Sequence, residues 1–320
     1  MTPQEQLLKA IRQQLNKETS LIDELAAVLN ISYDASHRRV SSKSKFSIEE
    51  TVSLCQHYGI AMDSIFSNAN KVLVEKTREV KSFDDLANYF KQSATYLHKY
   101  LASSNATLFY SAKDIPIFYT IEGSLLSKFK LYVWLNLVIG NEKQEAFETF
   151  QLLKPLQEYT HILKEVHEKA NVHEIWNDTT INSTLQQIFY FYESGLLSRD
   201  HALQLYQELK IMLHQIEDKC AQNTPKYHLY YNELLVLNNN VLISDEEKQT
   251  LFIPYTLLGY FITEDKNTCQ NATDYYWHQI KNSKSLNLSG TRDRKVFFNK
   301  SIQKIDYYIQ RMNNNFTVEL

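Results

Sequence analysis

The chain has 320 residues but only six glycines and five prolines, and this shortage restricts its fold more than any other feature. Glycine supplies the left-handed backbone of tight turns, and proline presets others. A multi-strand protein built on hairpins needs many of both, as does an enzyme built on glycine-rich phosphate loops. Few of either, among abundant Leu, Gln, Lys, Glu and Tyr, favours helices. The residues are 43% hydrophobic and 22% charged, enough apolar material for a sizeable core. The length suits about two domains.

The first 66 residues carry a succession of helix starts. Thr2, Pro3 and Glu5 read as N-cap, first-turn proline and capping-box partner, followed by Leu7, Leu8, Ile11 and Leu15 at helical spacing. Ser20 with Asp23 opens a second helix bearing Ile22, Leu25, Ala26 and Leu29, and Asn30 and Ile31 break it. Ser32 caps a third helix that runs to Val40. Ser47 with Glu50 opens a fourth, with Val52, Cys55 and Tyr58 inward and Gly59 at its end. Met62, Ile65 and Phe66 mark a short fifth.

The remainder predicts a larger domain. Residues 71–82 are polar and charged and read as a linker. Helical periodicity then spans Phe83–Leu101, Gly123–Ile139, Glu142–Val166 (interrupted by Pro155), Thr180–Gly195 and Arg199–Cys220. Tyr227–Tyr231, Leu234–Leu237 and Val241–Ile243 suggest strands around the turn Asn238–Asn240, with a third strand in Leu251–Thr263. Helices over Ala272–Lys281 and Thr291–Met312 follow. The fold expected is mainly α: a five-helix N-terminal domain over 1–70, then a large helical domain over 83–320 with a small α+β portion within 227–265.

The chemistry concentrates in Glu24–Val40. A small residue, Ala26, stands where two helices cross, Asn30 lies in the turn, and Ser36 and Val40 form a narrow inward face on the third helix. Tyr33, Asp34, His37 and Arg38 point elsewhere and are the candidates for base edges. Ser32, Arg39, Ser41, Lys43 and Lys45 are the candidates for phosphates. Residues 35–47 hold Arg38, Arg39, Lys43 and Lys45 with His37 and no acid, although the whole chain carries a net charge of −3. Nucleic-acid contact would therefore be local. A helical hairpin used only for packing would leave this basic loop without a role.

Ser20–Phe66 resembles the lambda-repressor-like helix-turn-helix domains, in particular bacterial regulators of the XRE/BetR type. The segment Glu49-Glu-Thr-Val-Ser-Leu-Cys-Gln-His-Tyr-Gly-Ile-Ala-Met-Asp-Ser-Ile-Phe is similar to their fourth and fifth helices. With the first helix, the likeness covers about a fifth of the chain. Many members place β-branched apolar residues where this chain has Ser36 and Arg39; here the apolar contact falls on Val40. More loosely, Tyr110-Ser-Ala-Lys-Asp-Ile-Pro-Ile-Phe-Tyr and Ser289-Gly-Thr-Arg-Asp-Arg-Lys-Val-Phe-Phe are similar to regulators of Bacteroidetes type. The resemblance implies a DNA-binding transcription regulator whose third helix enters the major groove of double-stranded DNA. Two half-sites one helical turn apart then call for a homodimer. The C-terminal domain would supply dimerisation and the input of a small-molecule or protein effector. The alternative is a helical protein-interaction scaffold without DNA binding.

Other chemistries lack their motifs. There is no GxSxG, P-loop, GxGxxG or HExxH. His161 and Glu165 share a helix face, but His167 is offset from it and His173 lies apart, so no metal site and no cofactor is expected. Phe189–Glu193 and Tyr275–His278 read as core aromatics before they read as a ligand pocket. Cys55, Cys220 and Cys269 are isolated and read as reduced thiols. Met1–Leu15 lacks an apolar signal core, and the most apolar run, Leu131–Ile139, is about half a membrane span, so a cytoplasmic protein is expected, and the missing catalytic motifs make it a non-enzymatic one.

Overall fold

The computed structural model describes residues 1–16, 18–62, 65, 71–121, 123–139, 145–151, 156–222, 224–288 and 291–315. It divides into two compact units, Met1–Leu73 and Val74–Leu320.

In the first unit, α1 (Pro3–Gln14), α2 (Leu21–Leu29), α3 (Tyr33–Val40) and α4 (Ile48–His57) close around Leu7, Leu8, Ile11, Leu25, Leu54 and Cys55. Thr2 with Glu5 and Ser47 with Glu50 form reciprocal capping boxes, while Ser20 and Ser32 accept from Asp23 N and Ala35 N. Each cap satisfies an amide that the first helical turn leaves without a partner. Gly59 follows α4 at φ +63°, a conformation costly for other residues. On α4 Cys55 and Tyr58 face inward as expected, joined by the fully buried Leu54, whereas Val52 is exposed. The fifth helix, Met62–Phe66, and Lys17 fall largely or wholly outside the described residues.

The second unit overturns the expectation of a mainly α chain with a small α+β portion near its C-terminus: it is α+β. An eight-stranded mixed sheet runs through it in the order β1-β7-β6-β5-β2-β3-β4-β8. The strands are β1 (Glu75–Lys76), β2 (Thr107–Ser111), β3 (Asn171–Trp176), β4 (Tyr227–Tyr231), β5 (Val241–Ser244), β6 (Gln249–Thr256), β7 (Gly259–Thr263) and β8 (Lys284–Ser285). β2, β3 and β4 are parallel, and the other pairings are antiparallel. The helices are α5 (Phe83–His98), α6 (Leu125–Ile139), α7 (Leu156–Lys169), α8 (Asn182–Glu193), α9 (Arg199–Gln222), α10 (Lys266–Lys281) and α11 (Thr291–Asn315).

Parallel neighbours are joined by helical crossovers, not tight turns. α6 and α7 connect β2 to β3, and α8 and α9 connect β3 to β4. That is how a large sheet is built with six glycines. Asn238–Asn240 does not close a hairpin between its flanking strands, because β4 pairs with β3 and β8 while β5 pairs with β2 and β6. Leu251–Thr263 is two strands, with Gly259 at the turn; a Cβ there would stand 2.2 Å from Thr256 Oγ1. Nor is 71–82 a plain linker, since Glu75 and Lys76 pair with Ile262 and Phe261 at the sheet edge. Pro155 lies outside the described residues, and α7 begins directly after it.

Alternation sorts the sheet residues onto two faces. Leu108, Tyr110, Val172, Trp176, Tyr227 and Leu229 join the main core, to which α5, α6, α7, α8, α9 and α11 all contribute. Phe109, Ile175, Leu242 and Leu251 pack with Cys269 and Tyr276 of α10 on the other face. α6 is apolar almost all round and buried accordingly. Its one fully buried cation, Lys130, donates to Asp114 Oδ2 (2.7 Å), Thr184 Oγ1 (3.2 Å) and Gln187 Oε1 (3.2 Å), so each ammonium proton has an acceptor. No helix among the described residues is long and apolar enough to cross a membrane.

Candidate nucleic-acid interface

The site is built from the turn between α2 and α3. Asn30 takes the left-handed conformation (φ 52°, ψ 48°), its amide returns to Ala26 O and Ala27 O, and Ile31 N donates to Ala26 O at 3.0 Å. Asparagine tolerates this backbone better than most residues. Three residues after α2 ends, Ser32 caps α3.

Helix α3 is then held by its short face. Ser36 is fully buried, and its hydroxyl donates to Ile22 O at 2.7 Å. Val40 packs against the small core. From α1, Gln4 Nε2 donates to Arg39 O (2.7 Å) and Ser44 O (2.9 Å), while Gln4 Oε1 accepts from Phe46 N (3.1 Å). One side chain thus fixes both the end of α3 and the basic loop after it.

Around this scaffold Tyr33, Asp34, His37 and Arg38 are exposed, Tyr33 by 54%. Ser32 is exposed too; its oxygen accepts from Ala35 N at 3.3 Å, which leaves the hydroxyl proton free to donate. Lys43 and Lys45 are exposed in the loop, where Ser42 is left-handed at φ 57°.

Two of the nine candidate residues already have side-chain partners within the first unit. Arg39 forms a two-point ion pair with Glu50, Nε to Oε2 at 2.9 Å and Nη2 to Oε1 at 2.5 Å, and Nη1 donates to Ala35 O at 3.1 Å. The pair is about four-fifths buried. The guanidinium ties α3 to α4 and holds the Glu50 carboxyl below its usual range. Ser41 gives its hydroxyl proton to His37 O at 2.7 Å, so it cannot donate the same proton to a phosphate. The lone Arg39–Glu50 separation in sequence, eleven residues, carries no helical signal; the hint was that Glu50 sits in the first turn of α4 with Arg39 ending the helix before it.

In the second unit the titratable groups that stood out as metal candidates are dispersed. His161 is exposed, Glu165 pairs with Lys169, and His167 and His173 lie on opposite faces of the sheet, and no group of three metal-binding side chains converges among the described residues. His167 belongs to a cluster that sequence reasoning missed. Glu174, fully buried in β3, accepts from Tyr119 (3.1 Å to each oxygen), Trp176 Nε1 (2.9 Å) and Tyr227 (3.3 Å), and His167 Nε2 lies 3.0 Å away. Burial, then the carboxylate, raises the phenols of Tyr119 and Tyr227 far above their usual range. Such a carboxylate is satisfied by its neighbours and fixes them in place.

No family model matches the chain, and no curated protein or solved structure does either.

Proposed function

We propose that this chain is a sequence-specific DNA-binding transcription regulator that reads the major groove with α3. One observation carries the reading. The side chains that hold α3, Ser36, Arg39 and Val40, are engaged within the first unit, while Tyr33, Asp34, His37 and Arg38 are left facing solvent beside an exposed basic loop. A helix gripped along a narrow face and free along the rest can enter a groove as a rigid body. Arginine suits guanine O6 and N7, and a carboxylate suits cytosine N4. Ser32, Lys43 and Lys45 then position the helix on the phosphates. The second unit supplies dimerisation and signal input.

The test is selection of genomic DNA fragments by the purified full-length protein, followed by anisotropy titration of the recovered sites over a salt series. Enrichment of a roughly palindromic motif, with affinity falling as a power of salt concentration, is the expected result. A folded protein that enriches nothing would reassign the first unit to protein binding.

A further inference from the structure

Within the second unit, α8 and α11 line an open groove of about 550 Å³. Asn182 and Gln186 stand four residues apart on α8, and Lys300, Lys304 and Tyr307 recur at four- and three-residue steps on α11, so each set shares one helix face. Asp178, two residues beyond the end of β3, is the one carboxylate among the described residues that line the groove. The groove therefore lies past the carboxyl end of a strand in the parallel part of the sheet, which is where such sheets place their ligands.

Its charges do not balance. Lys304 is half-buried, and its ammonium donates to Asp178 O and to Asn182 Oδ1 (3.3 Å), both neutral acceptors. It forms no ion pair with a carboxylate among the described residues. Lys300 is exposed and reaches Asp178 Oδ2 only at 4.0 Å. The next acid along α11, Asp306, is taken by Lys210 at 2.5 Å. One carboxylate thus serves two ammonium groups. Burial, outweighing the nearby Asp178, holds the Lys304 pKa below the ordinary lysine value, as befits a partly desolvated cation short of negative charge. Helix α11 as a whole carries six basic and two acidic residues in a chain of net charge −3, so anions are drawn to it.

The lining also selects the kind of anion. A lysine ammonium meets phosphate as a point charge, whereas planar carboxylates are gripped at two points by arginine, and no arginine is among the described residues that line the groove. The volume is that of a metabolite site and exceeds what one inorganic ion fills. Gln186 and Gln303 add exposed amides, and the Tyr307 ring, 59% exposed, offers a face against which an organic body can pack.

We propose that the α8–α11 groove binds a small molecule bearing a phosphate ester, with the phosphate held by Lys300 and Lys304 and the organic body against Tyr307. The site lies wholly within the second unit and does not depend on DNA binding by the first.

The test is isothermal titration calorimetry of the full-length protein, without DNA, using phenyl phosphate, inorganic phosphate and benzoate as probes. Wild type should bind phenyl phosphate saturably, and inorganic phosphate and benzoate each about tenfold more weakly. Lys300→Gln/Lys304→Gln should weaken phenyl phosphate by about tenfold or more, and Lys300→Gln alone, at an exposed position where the fold is not at stake, by several-fold. Lys300→Arg should stay close to wild type. Tyr307→Ala should weaken phenyl phosphate and leave inorganic phosphate unchanged. Wild type that binds neither phosphate probe would overturn the site, and so would undiminished binding in both lysine-to-glutamine variants. Benzoate bound as tightly as phenyl phosphate would overturn the assignment to phosphate esters. Each of these failures would leave the reading of DNA by α3 untouched, because no titration contains DNA.

Discussion

The Arg39 guanidinium meets both oxygens of the Glu50 carboxylate, at 2.9 and 2.5 Å, and so joins the end of α3 to the start of α4. Glu50 also accepts from Ser47 N at 3.0 Å as the partner in the α4 capping box. One carboxylate therefore serves a helix cap and an interhelical clamp. Two-point geometry and partial burial make such a pair stronger than an ordinary surface ion pair.

A double-mutant cycle with Arg39→Met and Glu50→Gln should give a coupling energy of about 1 kcal/mol in urea unfolding of the first unit. The sign of its pH dependence follows from the lowered Glu50 pKa, caused first by the hydrogen bond from Arg39. The contribution is complete above the unfolded carboxyl value and is lost as pH falls through the lower folded value. In DNA titrations Arg39→Met should keep the wild-type salt slope, whereas Lys43→Ala and Lys45→Ala should each reduce it by about one. A slope reduced by Arg39→Met alone would return Arg39 to the phosphate-contacting set.

Ser36 is the second lock on α3. Its substitution by alanine removes the hydroxyl bond to Ile22 O and leaves that carbonyl without its side-chain donor. The expected cost is about 1 kcal/mol, read as a lower urea midpoint for the first unit and an unchanged midpoint for the second. Ser36→Val tests the fit from the other side, because the larger branched side chain must displace packed neighbours at a fully buried position. Stability equal to wild type in both variants would show that Val40, Gln4 and the Arg39–Glu50 pair suffice to hold the helix.

Helix starts at Ser20, Ser32 and Ser47 were legible because a cap is a local event: a hydroxyl answers an amide three residues on. The outward residues of α3 were legible from periodicity for the same reason. The sheet was not. β2 and β3 are five and six residues long, lie between neighbours on both sides and are covered on both faces, so alternation of apolar and polar residues disappears. In β3 the polar side chains His173 and Glu174 are both buried, one on each face, which disguises a central strand as a loop. Scarce glycine misled for a related reason, since it reports on hairpins and not on helical crossovers. The Arg39–Glu50 and Glu174–His167 pairings join separate elements, and no short-range pattern encodes them.

The α10 face of the sheet holds a cross-strand stack in which Phe109, His173 and His228 occupy neighbouring strands in register. The rings lie 5.2 and 4.6 Å apart and within 23° of parallel. His173 Nδ1 is 3.3 Å from the Tyr230 hydroxyl, and its buried Nε2 has no hydrogen-bond partner among the described residues. Burial, and then the neighbouring His228, pushes the His173 pKa down to about 4. Below the ordinary histidine value the unfolded chain takes up a proton that the fold refuses, so stability is complete above that value and falls toward pH 4. By pH 5 the loss should reach roughly 2 kcal/mol relative to pH 7. His173→Phe keeps a ring in the stack and removes the titration. Urea unfolding at the two pH values should therefore show a smaller acid loss in the variant by about that amount, and equal losses would mean that His173 protonates within the fold.

Among the exposed residues of α3, Arg38 has the side chain best matched to a base pair, because its planar fork can meet guanine O6 and N7 together. It is exposed, and no carboxylate among the described residues forms an ion pair with it, so binding need not first break an internal bond. Arg38→Ala should cost about 1–3 kcal/mol on the selected site and much less on unrelated duplex, lowering the ratio between them. Arg38→Lys separates the two roles, since lysine keeps the charge and loses the fork. A lysine variant that retains salt dependence but loses the preference at one base pair would assign Arg38 to that base. A uniform loss on every duplex in the alanine variant, repaired by lysine, would instead assign it to a phosphate and leave sequence reading to Tyr33, Asp34 and His37.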